Sequence, residues 1–130
     1  MICPICGHTK LNTTYEDKSF RVLYGPPIVI RLRVDTCPAC NESGDFENEN
    51  DRPIQQALEI SALKSVPFMV AILKEDHQCA PVYIERVTGL QFGSITRCEA
   101  GHYDAAVIIA LRMACAYPPI LALLDNAESR

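Results

Sequence analysis

The sequence predicts an α+β fold in which a small antiparallel β domain precedes an all-α domain. Two closely spaced cysteine pairs bracket a stretch of alternating apolar residues, an acidic segment follows, and the rest of the chain carries apolar residues at helical spacing. A chain of 130 residues can hold one ordinary domain or two small ones. We expect a β domain over residues 1–46, an acidic connection with a linking helix over 47–65, and a helical domain over 66–130.

Composition excludes several classes of protein. Hydrophobic residues make up 48% of the chain, which is too many for a disordered or collagen-like protein. The 16 acidic residues outnumber the 12 basic ones, so the chain is not a basic nucleic-acid-binding arm. No uninterrupted apolar run reaches the roughly 18 residues of a membrane span. Residues 1–4 carry no charged segment of the kind that begins a signal peptide, so we do not expect a secreted precursor.

The spacing of the cysteines predicts a metal site. Cys3 and Cys6 form one CxxC pair, and Cys37 and Cys40 form another. Each pair can form a tight knuckle that brings two thiolates to one ion, and two knuckles supply the four sulfurs of a structural zinc site. We therefore predict one structural Zn²⁺ per chain, bound by these four cysteines. His8 could replace a ligand, but four cysteines already complete the tetrahedron.

The remaining cysteines fit other roles. Seven is an odd number, which argues against a closed disulfide framework. Cys98 and Cys115 lie at apolar positions of predicted helices and are expected in the core, whereas Cys79 lies in a predicted loop. The alternative to zinc is a pair of redox CxxC motifs, but such motifs usually occur singly, at a strand-to-helix turn.

Residues 9–34 are predicted to form an antiparallel sheet. The segments 13–15 and 19–24 have β-prone or alternating residues, 25–27 break the pattern, and 28–34 alternate cleanly. A domain of about 40 residues cannot bury enough core to fold alone, so the metal would supply the missing stability. We expect this domain to unfold when the metal is removed.

The next segment changes character. Residues 41–51 are rich in acidic side chains and asparagine and predict a solvated connection. A linking helix over about 52–64 follows, with Asn50 or Asp51 as its N-cap. The apolar residues 66–75 then predict a buried helical segment.

The second half of the chain contains a helix-turn-helix pattern. Residues 82–101 read as a helix, a turn at Gly89 and a second helix, while 105–116 and a segment opened by Pro118 are further helices. Polar side chains near the start of such a second helix are placed to reach base edges in the major groove. Gln91, Gly93, Ser94 and Arg97 are expected to face outward, and we predict that Gln91, Ser94 and Arg97 contact DNA. A generic helical hairpin is the alternative.

With both halves in view, the chain resembles the MqsA-type (YgiT-type zinc finger) antitoxin family. That family joins an N-terminal two-knuckle zinc domain to a C-terminal Xre-like helix-turn-helix. The resemblance rests on the four knuckle cysteines, Glu42-Ser43 after the second knuckle, and Ile95, Thr96-Arg97, Glu99 and Gly101 within the second helix. It implies a cytoplasmic protein that dimerises through its helical domain, binds a palindromic operator and neutralises a toxin through its zinc domain.

The expected function is therefore that of an antitoxin-like transcriptional regulator. Two departures from the family motivate an alternative, a protein-interaction module whose helix-turn-helix no longer binds DNA. Pro81 stands where the Xre pattern usually has Gln, and Gly93 stands where the MqsA-type recognition helix has Asn. Residues 66–130 also carry five basic against seven acidic side chains, which is a poor supply for neutralising phosphates.

Two further expectations concern catalysis and assembly. His77, His102 and the single cysteines have no recognisable catalytic partners, so we expect no enzyme and no catalytic residue. Ile109, Met113 and Leu123 on the last two helices are candidates for the seam of a homodimer. The alternative for these three residues is ordinary packing inside the core.

Overall fold

The computed structural model describes residues 2–128, so Met1, Ser129 and Arg130 at the ends of the predicted domains lie outside the described residues. Within that range the chain forms a three-stranded antiparallel sheet with a four-cysteine cluster, followed by five helices. The predicted α+β fold class is confirmed.

The sheet has the strand order β1-β2-β3. Strand β1 spans Asn12–Phe20, β2 spans Ile28–Thr36 and the short β3 spans Ser43–Gly44. Both pairings are antiparallel, and β1 lies opposite β2 along its whole length. The two β segments predicted over 13–15 and 19–24 are thus one strand that ends at Phe20, because pairing with β2 outweighs the low strand propensity of the charged residues between them.

The chain divides into two compact units. The first contains the chain up to Arg21 together with Pro27–Leu58, and the second contains Val22–Pro26 and the chain from Glu59 onward. The boundary between Leu58 and Glu59 falls inside the long helix α1, which spans Asp51–Asp76.

Helix α1 replaces the two helical segments predicted over about 52–64 and 66–75. Pro67 lies inside it and removes one backbone donor. One buried face continues past the proline through Ser61, Ala62, Ser65, Val66, Met69, Val70 and Leu73. The Ser65 hydroxyl donates a hydrogen bond to the Ala62 carbonyl, 2.6 Å away, just before the proline. Packing of this face therefore keeps the helix continuous where local propensity predicts a break.

The same helix has the length and apolar composition of a membrane span. It contains 26 residues, and an 18-residue window reaches a mean hydropathy of 1.4. The search for uninterrupted apolar runs missed it because Glu59 and Lys64 lie among the apolar residues. Core helices pass the same test, and 39% of the window is buried, so this is weak evidence for a membrane role.

The second unit contains four shorter helices. Helix α2 spans Pro81–Thr88, α3 spans Ser94–Glu99, α4 spans Ala105–Ala116 and α5 spans Pro119–Glu128. Besides the buried apolar residues of α1, their shared core contains Ile84, Val87, Ile95, Cys98, Val107, Ile108, Leu111, Ala114 and Leu121. The carboxylate of Asp104 caps α4 by accepting the backbone N–H groups of Ala106 and Val107.

Candidate metal centre and helix-turn-helix surface

The first cysteine pair lies in a tight backbone turn. The Cys3 N–H donates to the His8 carbonyl at 2.9 Å, and the Gly7 N–H donates to the Cys3 carbonyl at 2.9 Å. Gly7 has a φ of +79°, a left-handed conformation that glycine adopts without strain. The turn therefore directs the side chains of Cys3 and Cys6 into one place.

The second pair repeats this turn. The Cys37 N–H donates to the Glu42 carbonyl at 2.9 Å, and the Asn41 N–H donates to the Cys37 carbonyl at 2.8 Å. Asn41 has a φ of +63° at the position that Gly7 occupies in the first pair. Asparagine is one of the few other residues that adopt this conformation readily. Two equivalent knuckles thus face one another in the first unit.

The four sulfurs come together as the sequence predicted. The Sγ atoms of Cys3, Cys6, Cys37 and Cys40 all lie within 4.8 Å of one another. The Cys3 and Cys40 sulfurs are 3.7 Å apart, and the Cys6 and Cys37 sulfurs are 3.5 Å apart. Four sulfurs in a tetrahedron at about 2.3 Å from a central ion would be about 3.8 Å apart. The cluster is therefore consistent with one structural metal ion per chain.

The electrostatics of the cluster also favour a cation. The backbone N–H of Cys6 lowers the pKa of the Cys3 thiol to about 7. At Cys40 the backbone N–H of Glu42 favours the thiolate, but burial and the neighbouring cysteines outweigh it and raise the pKa to about 12. One thiolate thus opposes ionisation of the next. A divalent ion removes this opposition, since it stabilises every thiolate that binds it.

A buried carboxylate links β1 and β2 close to the second knuckle, and sequence analysis missed it. Asp35 is fully buried two residues before Cys37. It accepts hydrogen bonds from the Thr13 hydroxyl at 2.9 Å and the Arg33 Nε at 3.0 Å. Burial alone would raise the pKa of Asp35, but these two donors outweigh it and hold the pKa below its ordinary value. The only sequence signal was an acidic residue in a β run just before a ligand.

The acidic segment over 41–51, predicted as a solvated connection, is mostly exposed and also carries ordered hydrogen bonds. The Asn50 side chain accepts from the Arg33 N–H and donates to the Arg33 carbonyl, both at 2.8 Å. The Asp45 carboxylate accepts the backbone N–H groups of Glu49 at 3.0 Å and Asn50 at 2.7 Å. Through these bonds the segment is attached to β2 and not solvated throughout.

In the second unit, α2 and α3 form a helix-turn-helix arrangement with a buried polar link. Gly89, with a φ of +78°, ends α2 in the left-handed conformation. Glu85 is buried on α2, and its Oε2 accepts the backbone N–H of Ile95 at 2.9 Å. Because this N–H lies in the first turn of α3, the carboxylate caps one helix from the other. Ile95 and Cys98 are buried as predicted.

The three residues predicted to contact DNA differ in their exposure to solvent. Gln91 and Arg97 are exposed, and the Arg97 Nη2 donates to the Gln91 Oε1 at 3.3 Å. Ser94 is only 4% exposed, so the prediction that it faces outward is wrong. Ser94 lies four residues before the buried Cys98, and residues at this spacing share a helix face. The described structure therefore brings together Gln91 and Arg97 but not Ser94.

Comparisons with models of protein families, with curated proteins and with solved structures gave no match to this chain. The resemblance to the MqsA-type family therefore rests on the motifs alone. What the molecule shares with the predicted organisation is a four-cysteine cluster on an N-terminal antiparallel sheet, followed by a helical region.

Proposed function

We propose that the chain is a cytoplasmic, antitoxin-like transcriptional regulator that binds operator DNA through its helix-turn-helix. The observation that carries this proposal is the exposed pair formed by Gln91 in the turn and Arg97 on α3, a helix that Glu85 holds against α2. This is the region from which helix-turn-helix proteins reach base edges. Pro81 does not disturb it, because the proline occupies the first turn of α2, where no intrahelical donor is needed.

We propose that the metal is Zn²⁺ with a structural role. Tetrahedral sites with four sulfurs take zinc or iron–sulfur clusters, and sulfurs 3.5 to 3.7 Å apart fit a single central ion. Four thiolates fill the coordination sphere of zinc, so no position is left for substrate or activated water. A filled coordination sphere supports the expectation that the metal is not catalytic.

The charge of the helical unit favours a dimer as the DNA-binding form. Arg86 on α2 forms an ion pair with Asp125 on α5, with Nη1 and Oδ1 3.1 Å apart, so part of its charge is already balanced. DNA affinity depends on the number of phosphates neutralised. A homodimer doubles the number of arginines that reach one duplex, and it matches a palindromic operator.

An apolar surface on α4 and α5 supports this homodimer. Ile109, Met113 and Leu123 are 56%, 51% and 58% exposed, so the alternative that they are core residues is wrong. Ile109 and Met113 also line a groove of about 410 Å³ with Leu90 and Leu124. We propose that a second copy of the chain covers this surface.

DNA binding is tested by a gel-shift experiment with the full, zinc-loaded chain and duplex DNA from upstream of its own gene. We expect binding at low ionic strength that weakens steeply as salt is added. Arg97→Ala is expected to weaken binding by about 1–3 kcal/mol if the arginine reads a base. Lys74→Ala, which removes one exposed positive charge outside the helix-turn-helix, is the control and should have a much smaller effect.

No salt-sensitive binding by the folded, zinc-loaded protein would contradict the regulator proposal. It would favour the second candidate, a protein-interaction module without DNA binding. The burial of Ser94 and the acidic balance of residues 66–130 favour this candidate.

The first unit offers a surface for a protein partner such as a toxin. Strand β1 has nine residues and lies at one edge of the sheet, where it pairs with β2. Within the described residues no strand pairs with its other edge, and such an edge can accept a strand of another protein. A pull-down from the native host with the full chain tests this role. Recovery of no partner, together with clear operator binding, would remove the interaction-module candidate.

A further inference from the structure

We infer that Gln91 is a positioning residue that holds the Arg97 guanidinium for recognition of a guanine, and that Gly93 leaves the space the guanidinium needs. This inference rests on the proposed DNA-binding function. It assigns the contact with the base to Arg97 and the positioning of Arg97 to Gln91.

The first contact is the hydrogen bond between the two side chains. Arg97 Nη2 donates to Gln91 Oε1 across 3.3 Å, and both residues are exposed on the surface formed by the turn and α3. An exposed arginine otherwise samples many rotamers. The bond to Gln91 restricts these, and it uses one of the five N–H donors of the guanidinium, so donors remain for a ligand.

The second observation is that the guanidinium lies beside Gly93 in the turn. Gly93 has a φ of +82°, and a Cβ placed on it would lie 3.2 Å from the Nη1 of Arg97. The arginine therefore passes closely over a residue without a side chain. A side chain at this position would require the guanidinium to move by a few tenths of an ångström. Gly93 and Gln91 thus act together on one arginine.

The geometry separates the roles of the two polar side chains. Reading an adenine would require both the oxygen and the nitrogen of the Gln91 amide, and the oxygen would then have to accept from the base and from Arg97 together. The planar fork of arginine matches the O6 and N7 acceptors on the major-groove edge of guanine. Arg97 is therefore the reader and Gln91 its support. A phosphate could also accept hydrogen bonds from two N–H groups of the guanidinium. The experiment must therefore distinguish binding to a guanine from binding to a phosphate.

The test uses the full, zinc-loaded chain and a pool of random DNA duplexes from which the wild-type protein selects its preferred sequence. Binding is then measured to that duplex and to duplexes in which each G·C pair of the selected motif is replaced by A·T. We expect one G·C pair in each half-site to be preferred about tenfold or more. Arg97→Ala should abolish this preference.

Two variants of Gln91 isolate its role. Gln91→Leu removes the acceptor, and we expect the preference at that pair to fall to about twofold, since a single poorly aligned hydrogen bond discriminates little. Gln91→Glu keeps an acceptor, so it should retain the preference while it weakens binding to all duplexes through its charge. Gly93→Ala should reduce the preference as Gln91→Leu does. Thermal unfolding checks that each variant remains folded.

The outcomes separate the inference from the proposed function. Selection of no sequence by the wild-type protein would overturn both. If Arg97→Ala removes the preference but Gln91→Leu leaves it unchanged, the regulator proposal stands and the positioning role is overturned. Equal weakening on all duplexes by Arg97→Ala would show that the arginine binds phosphate, and the guanine assignment would be overturned.

Discussion

At the scale of single residues, Asp35 gives a sharp prediction. The donors Thr13 and Arg33 stabilise its carboxylate and keep its pKa below the ordinary value. A carboxylate with a lowered pKa stabilises the fold above its unfolded-state pKa, and this contribution is lost as pH falls through the lowered folded-state pKa. We expect Asp35→Asn to lower the free energy of unfolding of the zinc-loaded chain by about 2 kcal/mol at neutral pH. Denaturant unfolding followed by circular dichroism measures this.

The pH dependence provides the check on that prediction. The difference in stability between the wild-type protein and Asp35→Asn should narrow in acid, because the wild-type carboxylate is then protonated too. Asp17→Asn on the exposed face of β1 is the matched control and should have little effect. A difference that does not change with pH would contradict a role for the charge of Asp35.

The residues that sequence analysis missed share a physical cause. Asp35, Asn50 and Glu85 bond to partners 22, 17 and 10 residues away in the chain, so their roles arise only when the chain folds. The four cysteines were predictable because each pair forms a local turn. Ser94 was misplaced although its spacing from the buried Cys98 could have indicated its face.

At the scale of secondary-structure elements, the knuckles and the helices depend on different forces. The first unit has few buried apolar residues, Ile30 and Leu32 among them, whereas the second has a continuous core. We therefore expect a chelator to unfold the first unit and leave the helical unit folded. After chelation, trypsin should cleave rapidly at Lys18 and Arg31, while sites in the helical unit stay protected. Added zinc should restore resistance.

A pair of cysteine variants tests the same prediction. Cys37→Ser should lose the bound zinc and become sensitive to trypsin without a chelator. Cys79→Ser, which lies outside the cluster, should keep about one zinc per chain. Equal zinc content in the two variants would contradict the four-cysteine site.

Elements were predicted best where local signals and packing agree. Helix α4 begins and ends where its apolar spacing placed it, and Gly89 ends α2 as expected. Helix α3 begins only at Ser94, some residues after the predicted turn at Gly89, because Gly93 holds a left-handed conformation. Pro67 and the charged centre of β1 suggested breaks that tertiary packing and strand pairing overcame.

At the scale of the whole molecule, the net charge of −4 weakens the DNA-binding proposal less than it first suggests. Residues 41–65 alone carry six acidic against two basic side chains. Several of these acidic groups have structural roles within the first unit, as Asp45 does towards Asn50 and Glu49 towards Arg33. The proposed operator binding would therefore depend on the few arginines of the helical unit, and a second copy of the chain is the simplest way to add more.

The proposed homodimer is therefore the property on which the DNA-binding proposal most depends. We expect sedimentation of the wild-type chain at micromolar concentration to show a dimer, and Met113→Glu to shift it to monomer, because a charge on an exposed apolar seam opposes association without disturbing the core. Val82→Glu, at a similarly exposed position on α2 that does not line the groove, is the control and should leave the dimer intact. Met113→Glu should also weaken binding to a palindromic duplex more than binding to a single half-site, since only the palindrome uses both copies. A wild-type chain that remains monomeric at these concentrations would contradict the dimer, and equal effects of the two variants would place the interface elsewhere.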